Sequence, residues 1–192
     1  MIAEDPFKQI ISKISKNEEI TKTEADMAFS LIINGSVTDA QIGAFLMGLS
    51  LTGETSEIIA SGASMLRQSA IKIQSDDMTI DTVGTGGDGA HTLNISSAAA
   101  FVVAGANIKV AKHGNRSLSS KSGAADVLLE LGINLDCPFE IVQKALNTIG
   151  ICFLMAPRHL VAMKHVGPAR VKLGIRTIFN LLGPLSNPAF VK

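Results

Sequence analysis

The sequence predicts an α/β protein with an amino-terminal all-helical domain, residues 1–74, and a mostly parallel-sheet α/β domain, residues 75–192. Two observations support this fold class. In the first part apolar residues recur at intervals of three and four, which is the spacing of helices that bury one face. After Met78 short β-like runs alternate with helix-like runs, and that alternation indicates a parallel sheet with helical crossovers.

The helices of the first domain are predicted from their ends and their apolar faces. The first helix carries Phe7, Ile10, Ile11 and Ile14 at helical spacing. The next two start at Ser/Thr-x-x-Glu/Gln capping boxes and stop at glycine, and a further helix holds an apolar face. The residues that mark them are Thr21, Glu24, Asn34, Gly35, Thr38, Gln41, Gly53, Ile58, Ile59, Met65 and Leu66. None carries chemistry, so this domain is predicted to be a scaffold.

The second domain is predicted to alternate three strands with three helices. Strands are expected over 79–83, 108–112 and 151–157, and helices over 94–106, 122–132 and 138–150. Further helices within 164–185 are predicted to pack back on the helical domain. Ligands of parallel sheets bind beyond the carboxyl ends of the strands. The loops 84–94, 112–122 and 156–169 are therefore the predicted site.

Composition excludes several functional classes. The formal net charge is zero and 46% of residues are hydrophobic, which indicates a folded protein without bulk attraction for nucleic acid or an anionic membrane. No apolar window approaches the ~20 residues of a membrane span. Cys137 and Cys152 form no CxxC pair, so we interpret them as reduced, partly buried thiols of a cytoplasmic protein.

The first loop, Gly84 to Gly89, fits GxGxxG, but the helix starts only near Asn94 and no acid follows about twenty residues on, as a dinucleotide site requires. A Walker A loop is excluded because no Gly-Lys-Ser/Thr follows. Two interpretations remain: an anion-binding turn completed by Asn94, Ser96 and Ser97, or a tight turn with an ordinary helix cap. Asp88 favours the first, since an acid beside phosphate-binding amides needs a metal or a hydroxyl to bind.

The second loop concentrates cations and hydroxyls. Lys112, His113, Arg116 and Lys121 lie within ten residues, together with serines 117, 119 and 120. Exposed cations usually form a solvated surface, but this run directly follows a buried strand and favours a phosphate clamp. Two such loops indicate a ligand with phosphate at more than one position. We interpret His113 as positioning a ligand rather than acting as a base, and Lys164 and His165 as helix-surface residues.

Four motifs occur in order along the chain: GTGGD, NIS, KHGNRS and GPAR…NLLGPLSNPA. Through these motifs the chain resembles the anthranilate phosphoribosyltransferases over its whole length. The resemblance implies a nucleoside phosphorylase/phosphoribosyltransferase-like fold. It implies transfer of the phosphoribosyl group of phosphoribosyl pyrophosphate (PRPP) to anthranilate, with Mg²⁺ as cofactor and pyrophosphate as product. It also implies a homodimer through the helical domain, for which the helices near Phe29 and Phe45 are candidates.

Site residues carry over from the resemblance by motif. No acid/base residue is implied, and positioning falls to Lys112, Asn115 and Arg170. Gly84, Asn115 and Arg170 would hold anthranilate, and Ser96 would be a magnesium ligand. The residues implied to contact PRPP are Gly84, Gly87, Asp88, Thr92, Asn94, Ile95, Ser96, Ser97, Lys112, His113, Gly114, Asn115, Arg116, Ser117, Leu118, Ser119, Ser120 and Ala124.

The chain departs from the family pattern in four places. Ala124 replaces a usual serine, Leu160-Val161 a usual His-Pro, and Ser97 a common threonine. Family members also continue well past the last residue here, so a fragment or a shortened gene product is expected, with weak PRPP binding and poor turnover. Two alternatives stay open: a related transferase or phosphorylase with another acceptor, and a non-catalytic relative that binds phosphate or nucleic acid.

Overall fold

The computed structural model describes residues 5–85, 93–116 and 123–191 and divides the chain into two units. The helical unit contains the residues up to Ser69 together with Val161–Ser186. The α/β unit contains Ala70–Leu160 and the residues from Asn187 onward. Each unit is therefore built from two separate stretches of chain.

The helical unit consists of four amino-terminal helices and a later helical stretch. Its elements are α1 (Pro6–Ser15), α2 (Lys22–Ile33), α3 (Asp39–Thr52), α4 (Ser56–Ser69), a 3-10 helix (Val161–His165), α9 (Gly167–Leu173) and α10 (Ile178–Leu185). Both predicted capping boxes are confirmed. Thr21 Oγ1 accepts from the Glu24 amide at 3.2 Å while the Glu24 carboxylate accepts from the Thr21 amide at 2.8 Å. Thr38 and Gln41 repeat the arrangement at 3.3 and 3.0 Å.

The core of this unit is an aromatic cluster surrounded by aliphatic side chains. Phe45 lies at its centre, with ring centroids 5.6 Å from Phe7 and 5.8 Å from Phe29. Phe179 of α10 extends the cluster at 6.2 Å from Phe29 in an edge-to-face arrangement. Tilted and edge-to-face pairs add to the free energy gained by burial. The rings of Phe29 and Phe45 are fully buried and therefore not available for a dimer contact. The large apolar side chains that α2 and α3 expose are Met27, Met47 and Leu51.

The α/β unit places helices around a short parallel sheet. Its elements are α5 (Ile95–Gly105), β1 (Val110–Gly114), α6 (Ala124–Glu130), α7 (Phe139–Ile149), β2 (Ile151–Met155) and α8 (Ala156–His159). β1 and β2 pair in parallel, from Val110 opposite Ile151 to Gly114 opposite Met155. Gly150 ends α7 in the left-handed region, so the chain turns directly into β2.

The prediction of a full strand over 79–83 is wrong: within the described residues this segment forms one parallel bridge, Ile80 to Val110. The backbone hydrogen bonds between this segment and β1 end there because the Asp81 side chain accepts from the next amide of β1. The amide of His113 is bonded by the carboxylate of Asp81, at 3.2 and 3.3 Å, rather than by a backbone carbonyl. The Asp81 carboxylate therefore replaces the backbone carbonyl that would accept this hydrogen bond in a longer strand pair.

The predicted loop over 156–169 is also wrong, because α8, the 3-10 helix and the start of α9 occupy it. Arg158 holds α8 in place by donating from Nη1 to the carbonyls of Leu135, at 2.8 Å, and Cys137, at 2.6 Å. These partners are more than twenty residues away, so local sequence does not reveal them. No helix in the described part of the chain is long and apolar enough to cross a membrane.

Candidate functional site

Lys112 lies on β1 and is 3% exposed, which is unusual for a lysine. Its Nζ donates to Ser96 Oγ on α5 at 3.1 Å. Burial lowers the pKa of this ammonium, and the negative charge of Asp81 opposes that shift. Among the described residues no carboxylate forms a direct ion pair with it. The site therefore contains a buried cation whose charge is only partly compensated.

The first turn of α5 presents polar atoms beside this cation. Asn94 caps the helix, with its Oδ1 accepting from the Ser97 amide at 3.3 Å. Nδ2 of Asn94 and Oγ of Ser97 are buried and have no hydrogen-bond partner among the described residues. A buried polar atom without a partner costs about 1–3 kcal/mol. The helix cap is therefore confirmed. The anion-binding interpretation stays a prediction, and it is compatible with this cap because a helix amino terminus favours a negative charge.

Asp81 connects the site to its surroundings, and the sequence analysis missed it. Its carboxylate accepts from the amides of His113 and Val83, the latter at 2.9 Å, and from Asn187 Nδ2 at 2.6 Å. Burial raises the pKa of this carboxyl, while the bonds from Asn187, His113 and Val83 oppose the shift. The signal in the sequence was an acid in the middle of a segment that is predicted to be a strand.

Asn187 was missed as well, and it is 1% exposed. Its Nδ2 donates both to Asp81 and to the carbonyl of Ala111, at 2.8 Å, and its Oδ1 accepts from the amide of Ala189 at 2.7 Å. Every polar atom of this side chain is satisfied. Asn187 precedes Pro188, and nothing local in the sequence distinguishes this asparagine from a turn residue.

The end of β1 is shaped by a close approach. A Cβ on Gly114 would lie 2.8 Å from the ring of Phe153, so only glycine fits without displacing that side chain. His113 is buried on the same strand. Beyond it Asn115 and Arg116 are exposed, and Asn115 Oδ1 accepts from the Arg116 amide at 2.8 Å. Three residues after the buried Lys112, the chain therefore reaches the surface at Asn115.

Other predicted PRPP contacts lie at the rim or outside the described residues. Gly84 is exposed, and an added Cβ would meet no described atom within 4 Å. Ile95 is 63% exposed at the start of α5, and Ala124 is the half-buried first residue of α6. The predicted contacts outside the described residues are Gly87, Asp88, Thr92, Ser117, Leu118, Ser119 and Ser120.

Arg170 belongs to the helical unit, on α9. Its Nη2 donates to Asn180 Oδ1 at 3.3 Å, and its guanidinium lies 5.7 Å from the ring centroid of Phe179. Burial lowers its pKa, and none of the ion pairs among the described residues involves it. A half-buried guanidinium without a carboxylate partner is suited to a carboxylate ligand.

The segment around the Leu160-Val161 departure is packed. Leu160 is 3% exposed and Val161 is 44% exposed. His159 is buried, with Nδ1 2.7 Å from the carbonyl of Ile71 and its ring centroid 4.8 Å from Phe139. Lys164 is exposed, whereas the ring of His165 lies against Gly35, where a Cβ would be 2.6 Å away. Lys164 is therefore a helix-surface residue as predicted, whereas His165 is only partly exposed.

Cysteine chemistry does not contribute to this arrangement. Both cysteines are free, and burial raises the pKa of Cys152 to about 12. The negative charge of Asp81 acts in the same direction. A thiol with that pKa is protonated at neutral pH and is a poor nucleophile.

A magnesium ion fits Ser96 only in part. The hydroxyl of Ser96 already accepts from the Lys112 ammonium, so a dication there needs phosphate oxygens between the two positive charges. Mg²⁺ typically keeps several waters and binds through few protein groups plus substrate phosphates. Among the described residues no group of three or more His, Cys, Asp or Glu side chains could hold a metal. The residues therefore fit a metal that a phosphate ligand brings with it.

Comparison with known protein families gives two matches that together cover most of the chain. Residues 8–70 match the helical bundle domain of the glycosyl transferase family. Residues 76–192 match the a/b domain of the glycosyl transferase family.

Individual relatives agree with these matches. The chain is 55% identical over 186 residues to an anthranilate phosphoribosyltransferase of Azospirillum brasilense, covering 97% of this chain and 52% of the relative. It is 53% identical to that of Phenylobacterium zucineum, covering 96% of this chain and 55% of the relative. The chain thus spans about half the length of the relatives it matches.

Solved structures show the same fold. Anthranilate phosphoribosyltransferase from Thermus thermophilus superposes with a TM-score of 0.88 at 42% identity, covering 93% of this chain and 55% of that one. The Saccharomyces cerevisiae enzyme in complex with PRPP and Mg superposes with a TM-score of 0.87 at 30% identity, covering 97% and 56%. The yeast enzyme has also been solved with 4-fluoroanthranilate, with a TM-score of 0.80 at 28% identity, covering 95% and 53%.

Proposed function

We propose that this chain, which belongs to the glycosyl transferase family, contributes the PRPP-binding part of an enzyme that transfers the phosphoribosyl group of PRPP to anthranilate. The products would be N-(5-phosphoribosyl)anthranilate and pyrophosphate, a step of tryptophan biosynthesis. The relatives and the solved structures with PRPP, Mg and 4-fluoroanthranilate support this substrate pair.

The observation that carries the proposal is the group of underused polar atoms around Lys112. A buried ammonium, Nδ2 of Asn94 and Oγ of Ser97 lack full compensation among the described residues, and all belong to one unit. A phosphate group supplies the negative charge and the acceptor oxygens that this group lacks. The exposed Arg116 extends the positive charge outward from the same strand.

Catalysis in this proposal comes from positioning and charge neutralisation. The anthranilate amine is already a neutral nucleophile, so no protein base is required. Displacement at the anomeric carbon breaks its bond to pyrophosphate, and positive charges near the departing oxygens lower that barrier. We assign this role to Lys112, and the burial of its ammonium supports the assignment. Mg²⁺ would neutralise phosphate charge when bound, with Ser96 as one neutral ligand.

The acceptor would be recognised through its carboxylate. Arg170 has a guanidinium without a described carboxylate partner, and Phe179 and Asn180 fix its direction. Gly84 and Asn115, both exposed in the α/β unit, complete the predicted acceptor set. These three roles rest on the family resemblance and stay predictions.

Loss of anthranilate fluorescence in the presence of PRPP and Mg²⁺ tests the activity, and the absence of Trp and Tyr keeps the protein's own emission low. Two samples are needed: the 192-residue chain, and a chimera that continues it with the remaining part of the Azospirillum brasilense relative. We expect PRPP binding by the chain in calorimetry and turnover by the chimera. PRPP binding by both samples without turnover of anthranilate would overturn anthranilate as the acceptor.

Arg170→Gln in the active chimera tests the acceptor site. Loss of a bidentate carboxylate contact should raise KM for anthranilate by about tenfold or more, with KM for PRPP little changed. Lys172→Gln is the matched control, because Lys172 lies on the same helix and its side chain is 71% exposed in an ion pair with Asp39. Equal effects of the two substitutions would contradict a role for Arg170.

The alternative with another acceptor draws on the Leu160-Val161 departure. It is tested by measuring pyrophosphate release from PRPP with other amines in place of anthranilate, and release of the base from a nucleoside by free phosphate. Binding of single-stranded DNA that weakens with salt would instead support the non-catalytic relative.

Assembly and location also remain proposals. A homodimer through the helical unit would use Met27, Met47 or Leu51 rather than the buried phenylalanines. The free cysteines support a cytoplasmic location.

A further inference from the structure

We propose that Asp81 and Asn187 are a pair of positioning residues that hold Lys112 in the orientation needed to bind phosphate. This inference rests on the proposed function for its consequence, but its structural part can be tested without any ligand. Neither residue belongs to the set implied by the family resemblance.

The two residues act on the backbone on both sides of Lys112. The carbonyl of Ala111 accepts from Asn187 Nδ2 at 2.8 Å, and the amide of His113 donates to Asp81 at 3.2 and 3.3 Å. The ladder with β2 holds one edge of β1 at Lys112, and the two side chains hold the flanking peptide groups on the other edge. The Lys112 side chain then extends towards Ser96, where Nζ meets Oγ at 3.1 Å.

Hydrogen bonds also fix the orientation of the Asn187 side chain relative to Asp81. Asn187 Nδ2 to Asp81 Oδ2 is 2.6 Å, a short bond of the kind made to a charged acceptor. The amide of Ala189 donates to Asn187 Oδ1 at 2.7 Å, which fixes which end of the side-chain amide faces Asp81. An aspartate at 187 would place a second acceptor against Asp81 and against the carbonyl of Ala111. The site therefore requires an amide at 187 and a carboxylate at 81.

The same segment also positions α5, on the other side of the cation. Thr82 Oγ1 donates to the carbonyl of Ser96 at 2.8 Å, directly after Asp81. The negative charge of Asp81 compensates part of the ammonium charge without occupying its hydrogen-bond directions, because Nζ donates to Ser96. Ser96 is the one hydrogen-bond partner of Nζ among the described residues, so two N–H donors remain for a phosphate. These contacts lie within one unit of the chain.

The test compares Asn187→Asp and Asp81→Asn with matched substitutions at exposed positions of the same unit. Asp76→Asn is the control for the carboxylate, since Asp76 also accepts from a backbone amide and a lysine. Asn147→Asp is the control for the amide, since it contacts only Gln143 among the described hydrogen bonds. Using both members of the pair keeps the test decisive if one variant does not fold.

The first readout needs no ligand. In NMR spectra of the 192-residue chain we expect nuclear Overhauser contacts between the Lys112 side-chain methylene and the Ser96 Hβ protons. We also expect slow exchange of the His113 amide. Both should be lost in folded Asn187→Asp or Asp81→Asn and kept in the two controls. Retention of both signals in a folded pair variant would overturn the positioning role.

The second readout is calorimetric binding of inorganic pyrophosphate in magnesium buffer. We expect the affinity to fall by about tenfold or more in the pair variants and to stay unchanged in the controls. A lower melting temperature with unchanged affinity would show a purely structural pair. If the unsubstituted chain binds neither pyrophosphate nor PRPP, the proposed function fails, while the NMR comparison still decides whether the pair positions Lys112.

Discussion

The two units bury different kinds of side chain. The helical unit encloses an aromatic and aliphatic cluster centred on Phe45, whereas the α/β unit buries Lys112, His113, His159 and Asn187. Among the described residues, the buried lysine and histidines all lie in the α/β unit. Buried charge is costly and persists where function requires it. This difference agrees with the proposed function, in which the α/β unit binds phosphate and the helical unit contributes an apolar core.

The largest effect is expected from a substitution in the helical core. Phe29→Ala removes a fully buried ring that contacts Phe45 and Phe179, so it should lower the free energy of unfolding by about 3–5 kcal/mol. Urea unfolding followed by circular dichroism measures this. Met27→Ala on the same helix, where Met27 is 41% exposed, should cost far less. Equal costs would contradict the view that the buried aromatic cluster stabilises the helical unit.

Lys112→Met should weaken ligand binding and leave the free energy of unfolding nearly unchanged. It keeps most of the apolar stem and removes the buried ammonium, so PRPP affinity should fall by about ten- to a hundredfold, as expected for one charged hydrogen bond of roughly 1.5–3 kcal/mol. Stability should change little, because the desolvation cost of the charge also disappears. Calorimetry with PRPP measures the first and urea unfolding the second. Lys109→Met, at an exposed ion pair with Asp76, is the control and should bind as before.

Acid should destabilise the α/β unit through His159. Burial lowers the pKa of this ring, so it is neutral when folded but titrates near 6.5 when unfolded. Stability is then complete above about pH 6.5 and falls on acidification by at most about 1.4 kcal/mol per pH unit, until the folded ring protonates. His159→Gln should remove this slope, and His165→Gln should keep it. An unchanged slope in His159→Gln would contradict the assignment.

The smallest effect is expected at the helix caps. Thr21→Ala removes the cap of α2 and should cost about 1 kcal/mol of unfolding free energy, without affecting PRPP binding. Thr21→Ser keeps the hydroxyl and is the matched control. Any loss of PRPP affinity in Thr21→Ala alone would show that the helical unit does more than stabilise.

The sequence predicts those features whose causes are local. The capping boxes at Thr21 and Thr38 were predictable because each cap and its partner lie three residues apart. α7 was predictable from Pro138 at its start and Gly150 at its end. Lys112 was identified because it follows an apolar strand within a cluster of cations.

Features that depend on distant partners were not predictable. The pairing of segment 79–83 with β1 ends after Ile80 because the Asp81 carboxylate accepts from the His113 amide. Asp81 also accepts from Asn187, which lies more than a hundred residues away in the sequence. The helical turns after β2 depend on Arg158 reaching the carbonyls of Leu135 and Cys137. Periodicity reports which face of a segment is apolar, but it carries no information on which distant group a polar side chain will meet.

The position of Asn187 has a consequence for biosynthesis. The ribosome releases Asp81 and Lys112 long before Asn187, so the carbonyl of Ala111 and the carboxylate of Asp81 must wait for their partner. The helical unit waits in the same way for Phe179 of α10. During translation the Asp81 carboxylate and the Ala111 carbonyl therefore lack this partner until Asn187 has been made. Phe179 and Asn187 lie close together in the sequence, so these two sets of contacts become possible at nearly the same point of synthesis.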